Sequence, residues 1–111
     1  MLVFKIFREA ELAHLMRRGE TQGAPVDLTD GFVHLSTAEQ LAETAAKHFK
    51  DDVGLWVLAV ETDNLDRLEW EPSRGGALFP HLYRSLRLSD IKWIRRMALG
   101  ATGHVLPEGV L

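Results

Sequence analysis

The run Leu55–Val60 constrains the fold of this chain more than any other feature, because it is apolar throughout and does not alternate with polar residues. A strand with one face in water alternates, whereas a strand covered on both faces is apolar at every position. We therefore expect Leu55–Val60 to be a central strand, and the rest of the chain must supply the elements that cover it.

Two segments have the apolar spacing of amphipathic helices. The first is expected over Arg8–Arg18, with Leu12, Leu15 and Met16 on its apolar face and Gly19 as its C-terminal stop. The second begins at one of two alternative capping boxes: Ser36 with Glu39, or Thr37 with Gln40. Its apolar stripe then follows at helical spacing: Ala38, Leu41, Ala42, Ala45 and Phe49.

The remaining strands are short β-branched and aromatic runs: Val3–Phe7, Phe32–Leu35, Arg67–Trp70 and Ile91–Met97. We expect a loop over Gly19–Thr29 and a long irregular stretch over Glu71–Asp90, which is rich in Gly, Pro, Ser and Arg. A compact domain rarely keeps such a stretch unless it has a function. Two early helices and about five strands, several of them not separated by helices, predict an α+β fold.

The composition is that of one ordinary globular domain spanning residues 1–111. Hydrophobic residues make up 46% of the chain and charged residues 26%, which excludes the disordered class. The chain has no cysteine, so a disulfide framework and a thiolate zinc site are excluded as well.

Charge and targeting features predict a cytoplasmic protein with a small ligand. The first residues, Met1–Arg8, lack the basic region and long apolar stretch of a signal peptide. No run reaches the roughly 18 apolar residues of a membrane span. A net charge of -3 argues against sequence-independent nucleic-acid binding, which needs a basic surface. We expect a small-molecule partner, no nucleic acid and no membrane, with the chain a monomer or a homodimer.

The first candidate functional segment is Asp30–Thr37. His34 is expected at the end of a strand, beside a helix N-terminus at Ser36 and Thr37. Such a terminus carries unpaired N–H groups and about half a positive charge, so it favours phosphate or carboxylate. His34 could donate a hydrogen bond or transfer a proton beside that anion. The structural alternative is that Ser36 and Thr37 cap the helix and His34 is a hydrogen-bonded core residue.

The second candidate segment is Trp70–Gly76. Gly75 and Gly76 let the backbone approach a ligand closely or adopt positive φ, near Ser73. Arg74 offers a planar fork suited to phosphate or carboxylate. Glu71, held extended by the proline after it, could orient a ribose hydroxyl or act as a base. The alternative is a surface turn with solvated charges.

The third candidate segment is Phe79–Ser85. If it is extended, His81 and Tyr83 share one face, because side chains alternate along a strand. Aromatic side chains of this kind commonly sandwich a planar ring. The alternative is that Tyr83 is a core residue with its hydroxyl hydrogen-bonded.

Other chemistries have little support in the sequence. His34, His81 and Glu71 could in principle hold a metal ion, but no His-x-x-x-His or similar spacing supports it, and we expect no metal. Neither a Gly-x-Ser-x-Gly elbow nor a P-loop occurs, which disfavours a serine hydrolase and an NTPase.

The strings Asp30–Ala38, Trp70–Gly76 and Phe79–Tyr83 resemble the bacterial family named domain of unknown function 952, and the resemblance covers nearly the whole chain. It implies an ADP-ribosyltransferase-like fold, in which a split, mainly antiparallel sheet surrounds an NAD-binding cleft. His34 would then stand about where the small rifampin-modifying members of that superfamily place a ring-stacking tyrosine. Lys5 lies on the first strand, where such transferases usually carry His or Arg to hold the ribose of NAD.

The leading hypothesis is a domain that binds NAD or a related nucleotide and could transfer ADP-ribose. One alternative is a hydrolase or phosphate-transferring enzyme on the same fold with His34 and His81 as acid and base. Another is a non-catalytic binding module. The candidate catalytic residues are His34, Glu71 and His81, and the candidate ligand-binding residues are Lys5, Ser36, Thr37, Ser73, Arg74, Gly75 and Tyr83.

Overall fold

The computed structural model describes the backbone of residues 1–111 and every side chain except that of Arg74. It contains three α-helices: α1 (Glu9–Arg18), α2 (Pro25–Asp30) and α3 (Ala38–His48). The strands are β1 (Leu2–Phe7), β2 (Glu20–Thr21), β3 (Val33–His34), β4 (Ser36–Thr37), β5 (Leu55–Glu61), β6 (Leu68–Pro72), β7 (Leu78–Leu82), β8 (Leu86–Arg87), β9 (Ile91–Gly100) and β10 (Gly103–Val105). Short 3-10 helices lie at Thr62–Asn64, Arg74–Gly76 and Leu88–Asp90.

The largest sheet has five antiparallel strands in the order β10-β9-β5-β1-β4. Strand β5 is its centre, so the prediction that Leu55–Val60 is a central strand is confirmed. Within that run only Trp56 is partly exposed, and the other five residues are buried. The apolar run is therefore covered on both faces, as its lack of alternation requires.

Alternation along β1 divides the core into two clusters, one on each face of this sheet. Val3 and Phe7 join the cluster that includes Leu15 of α1. Phe4 and Ile6 join the cluster that includes Leu41 of α3. Burial of each such side chain contributes about 1.5–3 kcal/mol. Lys5 lies between Val3 and Phe7 on the same face of β1, and it is also buried.

Two smaller antiparallel sheets complete the fold. The order of the three-stranded sheet is β3-β7-β6, and β2 pairs with β8 in the other. Strand β7 is held on both sides, and Leu35 N donates a hydrogen bond to Pro80 O at 3.0 Å just beyond β3. The α+β class and the mainly antiparallel pairing are confirmed.

Several expectations about individual elements are wrong. The expected loop over Gly19–Thr29 contains β2 and α2, so the chain has three helices and not two. The expected irregular stretch over Glu71–Asp90 contains β7 and β8. Helix α2 has six residues, too few to show an apolar period, and β7 contains a proline, which normally argues against a strand interior. Met16, expected on the buried face of α1, is 54% exposed.

None of the helices in the described part of the chain is long and apolar enough to cross a membrane.

Candidate functional site

The two histidines of the candidate site face each other across paired strands. Strands β3 and β7 are antiparallel, with His34 in register with His81, and the ring centroids are 5.3 Å apart. Phe32 packs against both, with its ring centroid 4.5 Å from that of His34 and 4.2 Å from that of His81. Tyr83 also contacts Phe32, at 5.1 Å, so the prediction that His81 and Tyr83 share a face is confirmed.

A buried carboxylate, Asp27, organises the β3 side of this cluster. Its Oδ1 accepts a hydrogen bond from His34 N at 2.9 Å and lies 2.6 Å from His34 Nδ1. Its Oδ2 accepts one from Ala24 N and lies 2.7 Å from Lys5 Nζ. Lys5 also donates to His34 O at 3.0 Å. Asp27 therefore connects β1, the start of α2 and β3 through one side chain.

The Asp27–Lys5 pair explains how two charged groups remain in the core. Burial by itself would raise the pKa of Asp27, but the hydrogen bond from His34 and the ammonium of Lys5 together outweigh burial and lower it. Burial lowers the pKa of Lys5, although the carboxylate of Asp27 opposes this shift. A buried charge whose partner is removed is strongly destabilising, so the pair acts as one unit.

A second carboxylate, Glu71, organises the β7 side. Its Oε1 accepts a hydrogen bond from Tyr83 OH at 2.6 Å and lies 2.8 Å from His81 Nδ1. Two hydrogen bonds lower the pKa of Glu71: the bond from Tyr83 has the larger effect and the bond from His81 the smaller one. The pKa of Tyr83 is raised mainly by its bond to Glu71 and, to a smaller extent, by burial. Glu71 is thus held as a carboxylate that fixes one nitrogen of the His81 ring.

A cleft of about 480 Å³ lies beside the two histidines. Its walls come from β1, β4 and β7, the start of α2 and the end of α3, at the junction of the five-stranded and three-stranded sheets. Five of the candidate residues line it together: Lys5, His34, Ser36, Ser73 and His81. Tyr83 lines a separate cavity of about 220 Å³, together with Phe32 and Asp27.

The other candidate residues have different positions. The structure shows the capping box formed by Thr37, in which Gln40 N donates to Thr37 Oγ1 at 3.3 Å and Thr37 N donates to Gln40 Oε1 at 3.0 Å. Thr37, Glu71 and Gly75 are outside the described lining of both cavities. Gly75 has φ of 64°, the left-handed conformation that glycine favours. The side chain of Arg74, a candidate phosphate ligand, lies outside the part of the chain that is described.

The family follows from a match that spans most of the chain. Residues 6–94 match the model of a family described as "Protein of unknown function (DUF952)". The chain belongs to the DUF952 family. The matched residues include both histidines and both organising carboxylates, and they begin one residue after Lys5. A comparison with curated proteins gives no match.

This DUF952 domain is similar to protein CC0527 from Caulobacter crescentus. The crystal structure of that protein matches with a TM-score of 0.89 and 47% identity, over 93% of this chain and 91% of that one. Its solution NMR structure matches with a TM-score of 0.83 and 47% identity, over 93% and 90% of the two chains. The fold that builds the cleft is therefore shared with a solved protein.

Sequence reasoning missed Asp27 and Phe32 as members of the site. Asp27 fell in an expected loop, and Phe32 was assigned only to a strand. A signal for Asp27 does exist, because Pro25 at the first position of a helix followed by an acidic residue at the third is typical of a helix start. That signal places Asp27 in α2 of this DUF952 domain, but not beside Lys5.

Proposed function

We propose that this DUF952 domain binds NAD or a related nucleotide in the large cleft, as an ADP-ribosyltransferase-like domain. The observation that supports this proposal is the charge of the lining. None of its described residues is acidic, and five are basic or histidine: Lys5, Arg8, His34, His48 and His81. A cleft without carboxylates at its surface favours an anionic ligand.

The size and shape of the cleft also suit a nucleotide. Its volume lies in the range of small-molecule sites, roughly 300–1,000 Å³. The guanidinium of Arg8 lies over the ring of Phe49, 4.6 Å from its centroid, and forms part of the wall. Ser36 and Ser73 add hydroxyl groups to the lining. The ligand would therefore meet both apolar side chains and hydroxyl, imidazole and cationic groups.

In this proposal the ligand phosphates bind near Ser36 and Arg74, as the sequence motifs suggest, and His34 contacts the ribose or the ring. Glu71 acts on the ligand through His81, whose Nδ1 it holds. Transfer of ADP-ribose would break the bond between the ribose and nicotinamide of NAD, form a bond from the ribose to a nucleophilic group of an acceptor molecule, and release nicotinamide. Binding without nicotinamide release would instead support the non-catalytic module.

Calorimetry with NAD, ADP-ribose and nicotinamide tests the proposal. We expect the wild type to bind NAD or ADP-ribose and His34→Ala to bind at least about tenfold more weakly, a loss of about 1.4 kcal/mol. The matched control is His14→Ala, which removes an exposed histidine on α1 and should leave affinity unchanged. Absence of binding to the wild type at millimolar ligand would overturn the proposal.

A second candidate function is a hydrolase or phosphate-transferring enzyme that uses His34 and His81 as acid and base. The favouring observation is that each Nδ1 faces a carboxylate while the rings lie 5.3 Å apart. Such a pair predicts turnover of a phosphate or glycosidic ester with a bell-shaped pH profile. Loss of activity in both His34→Ala and His81→Ala, but not in His14→Ala, would support it, and a flat pH profile would contradict it.

A further inference from the structure

The two histidines of the site have different hydrogen-bonding environments. His34 has a carboxylate at each ring nitrogen, with Nδ1 2.6 Å from Asp27 and Nε2 3.0 Å from Asp30 Oδ2. Both ring nitrogens of His34 therefore already face a carboxylate oxygen.

His81 has a carboxylate at one nitrogen only. Its Nδ1 lies 2.8 Å from Glu71 Oε1, while Nε2 is buried and has no hydrogen-bond partner among the groups that the structure describes. A proton on Nδ1, donated to Glu71, leaves the lone pair on Nε2 as an acceptor.

The ring nitrogen of His81 that lacks a partner belongs to a residue that lines the large cleft. Glu71 covers the Nδ1 edge and Phe32 stacks on one face of the ring, yet neither residue lines the large cleft. His81 itself is 5% exposed and does line the cleft. Among the groups that the structure describes, Nε2 is the ring nitrogen of His81 that still lacks a hydrogen-bond partner. A buried acceptor without a partner costs free energy, and a ligand donor would remove that cost.

We infer that His81 Nε2 accepts a hydrogen bond from a hydroxyl group of the ligand, so that the ligand class is an anion carrying a sugar hydroxyl. This inference rests on the proposed function, because it concerns the ligand of the same cleft. Glu71 and Tyr83 are then positioning residues that keep the proton on Nδ1 and leave Nε2 free to accept. Lys5 and Arg8, which line the same cleft, supply the cationic groups that an anion requires.

The first test needs no ligand and no variant. Long-range proton–nitrogen NMR distinguishes the two neutral tautomers of histidine. For His81 of the wild type at neutral pH we expect a protonated Nδ1 and an unprotonated Nε2. In Glu71→Gln the amide N–H can donate to Nδ1, so the tautomer with the proton on Nε2 becomes populated. The control Glu108→Gln makes the same charge change at an exposed position near the C-terminus and should leave the tautomer unchanged. A proton on His81 Nε2 in the wild type would contradict the inference.

The second test uses ADP-ribose and inorganic pyrophosphate as probes. Saturation with ADP-ribose should shift the Nε2 resonance of His81, whereas pyrophosphate, an anion without a sugar hydroxyl, should not shift it. Glu71→Gln should weaken ADP-ribose binding about tenfold, and the control Glu108→Gln should not. If ADP-ribose binds without moving this resonance, or if pyrophosphate moves it equally, the inference fails while the proposed function stands. If the wild type binds no nucleotide, both fail.

Discussion

At the scale of single residues, the hydrogen bond between Tyr83 and Glu71 gives a direct spectroscopic prediction. Tyr83 is the one tyrosine of the chain, so the absorbance of tyrosinate reports this group alone. The bond to the carboxylate of Glu71 raises the pKa of Tyr83, and we expect it to titrate above the usual value of about 10. In Glu71→Gln the pKa should fall toward that value, as measured by absorbance across alkaline pH.

The raised pKa of Tyr83 also makes the stability of the domain depend on pH. A raised pKa in the folded state means that the hydrogen bond stabilises the protonated phenol. Its contribution is fully present below the unfolded pKa and is lost as pH rises through the folded pKa. Glu39→Gln, an exposed change on α3, is the matched control and should leave the titration unchanged. A wild-type titration at or below the usual tyrosine value would show that the bond is not formed.

At the scale of elements, the entry into α2 depends on one close approach. Gly23 has φ of 104°, and a Cβ atom there would overlap the carboxylate of Asp27. Gly31, at the end of the same helix, has φ of 84° and open space around the position of a Cβ. We expect Gly31→Ala to cost about 1–3 kcal/mol through backbone strain. Gly23→Ala should cost about 3 kcal/mol more, because it also displaces a buried ion pair.

Urea unfolding of the two variants measures that difference. If both variants lose the same free energy of unfolding, Asp27 can move aside without losing its partners. That result would contradict its role as the organiser of the β3 side. We also expect the NMR resonances of His34 to shift in Gly23→Ala but not in Gly31→Ala. The reason is that His34 contacts Asp27 through both its backbone N–H and its ring.

The elements that the sequence predicted well are those with a period or a cap that is visible locally. The apolar run of β5 and the Thr37–Gln40 capping box are of this kind. The elements that were missed take their stability from neighbours. Strand β7 forms in spite of its proline because pairing with β3 and β6 holds it on both sides. Helix α2 is fixed by Asp27 through Lys5.

The candidate site shows the same division between local and long-range information. His34, Glu71, His81 and Tyr83 stood out as polar residues in unusual segments, and the structure brings them into one cluster. Their convergence depends on the pairing of β3 with β7, which no local pattern specifies. Asp27 was missed because one acidic residue in a short helix has no distinctive spacing, although its contacts link three elements.

At the scale of the whole molecule, Asp27 should control how the domain responds to acid. Its pKa is lowered in the folded state, because the bonds from His34 and Lys5 outweigh burial. The stability that it contributes is therefore present above the unfolded pKa of about 4 and is lost as pH falls through the folded pKa. Asp27→Asn should cost about 3–5 kcal/mol at neutral pH, since it leaves the buried Lys5 without its carboxylate.

The pH dependence of the free energy of unfolding distinguishes the effect of the Asp27 charge from a simple loss of packing. Between neutral pH and about pH 3 the wild type should lose more free energy of unfolding than Asp27→Asn does, because the variant has no carboxylate to protonate there. Asp51→Asn, which changes an exposed aspartate, should keep the wild-type slope. Urea unfolding across this range measures the slopes. If the free energy of unfolding of Asp27→Asn falls with pH as steeply as that of the wild type, acid destabilises the domain through other carboxylates. Asp90, which binds Arg84, would then be the next residue to substitute.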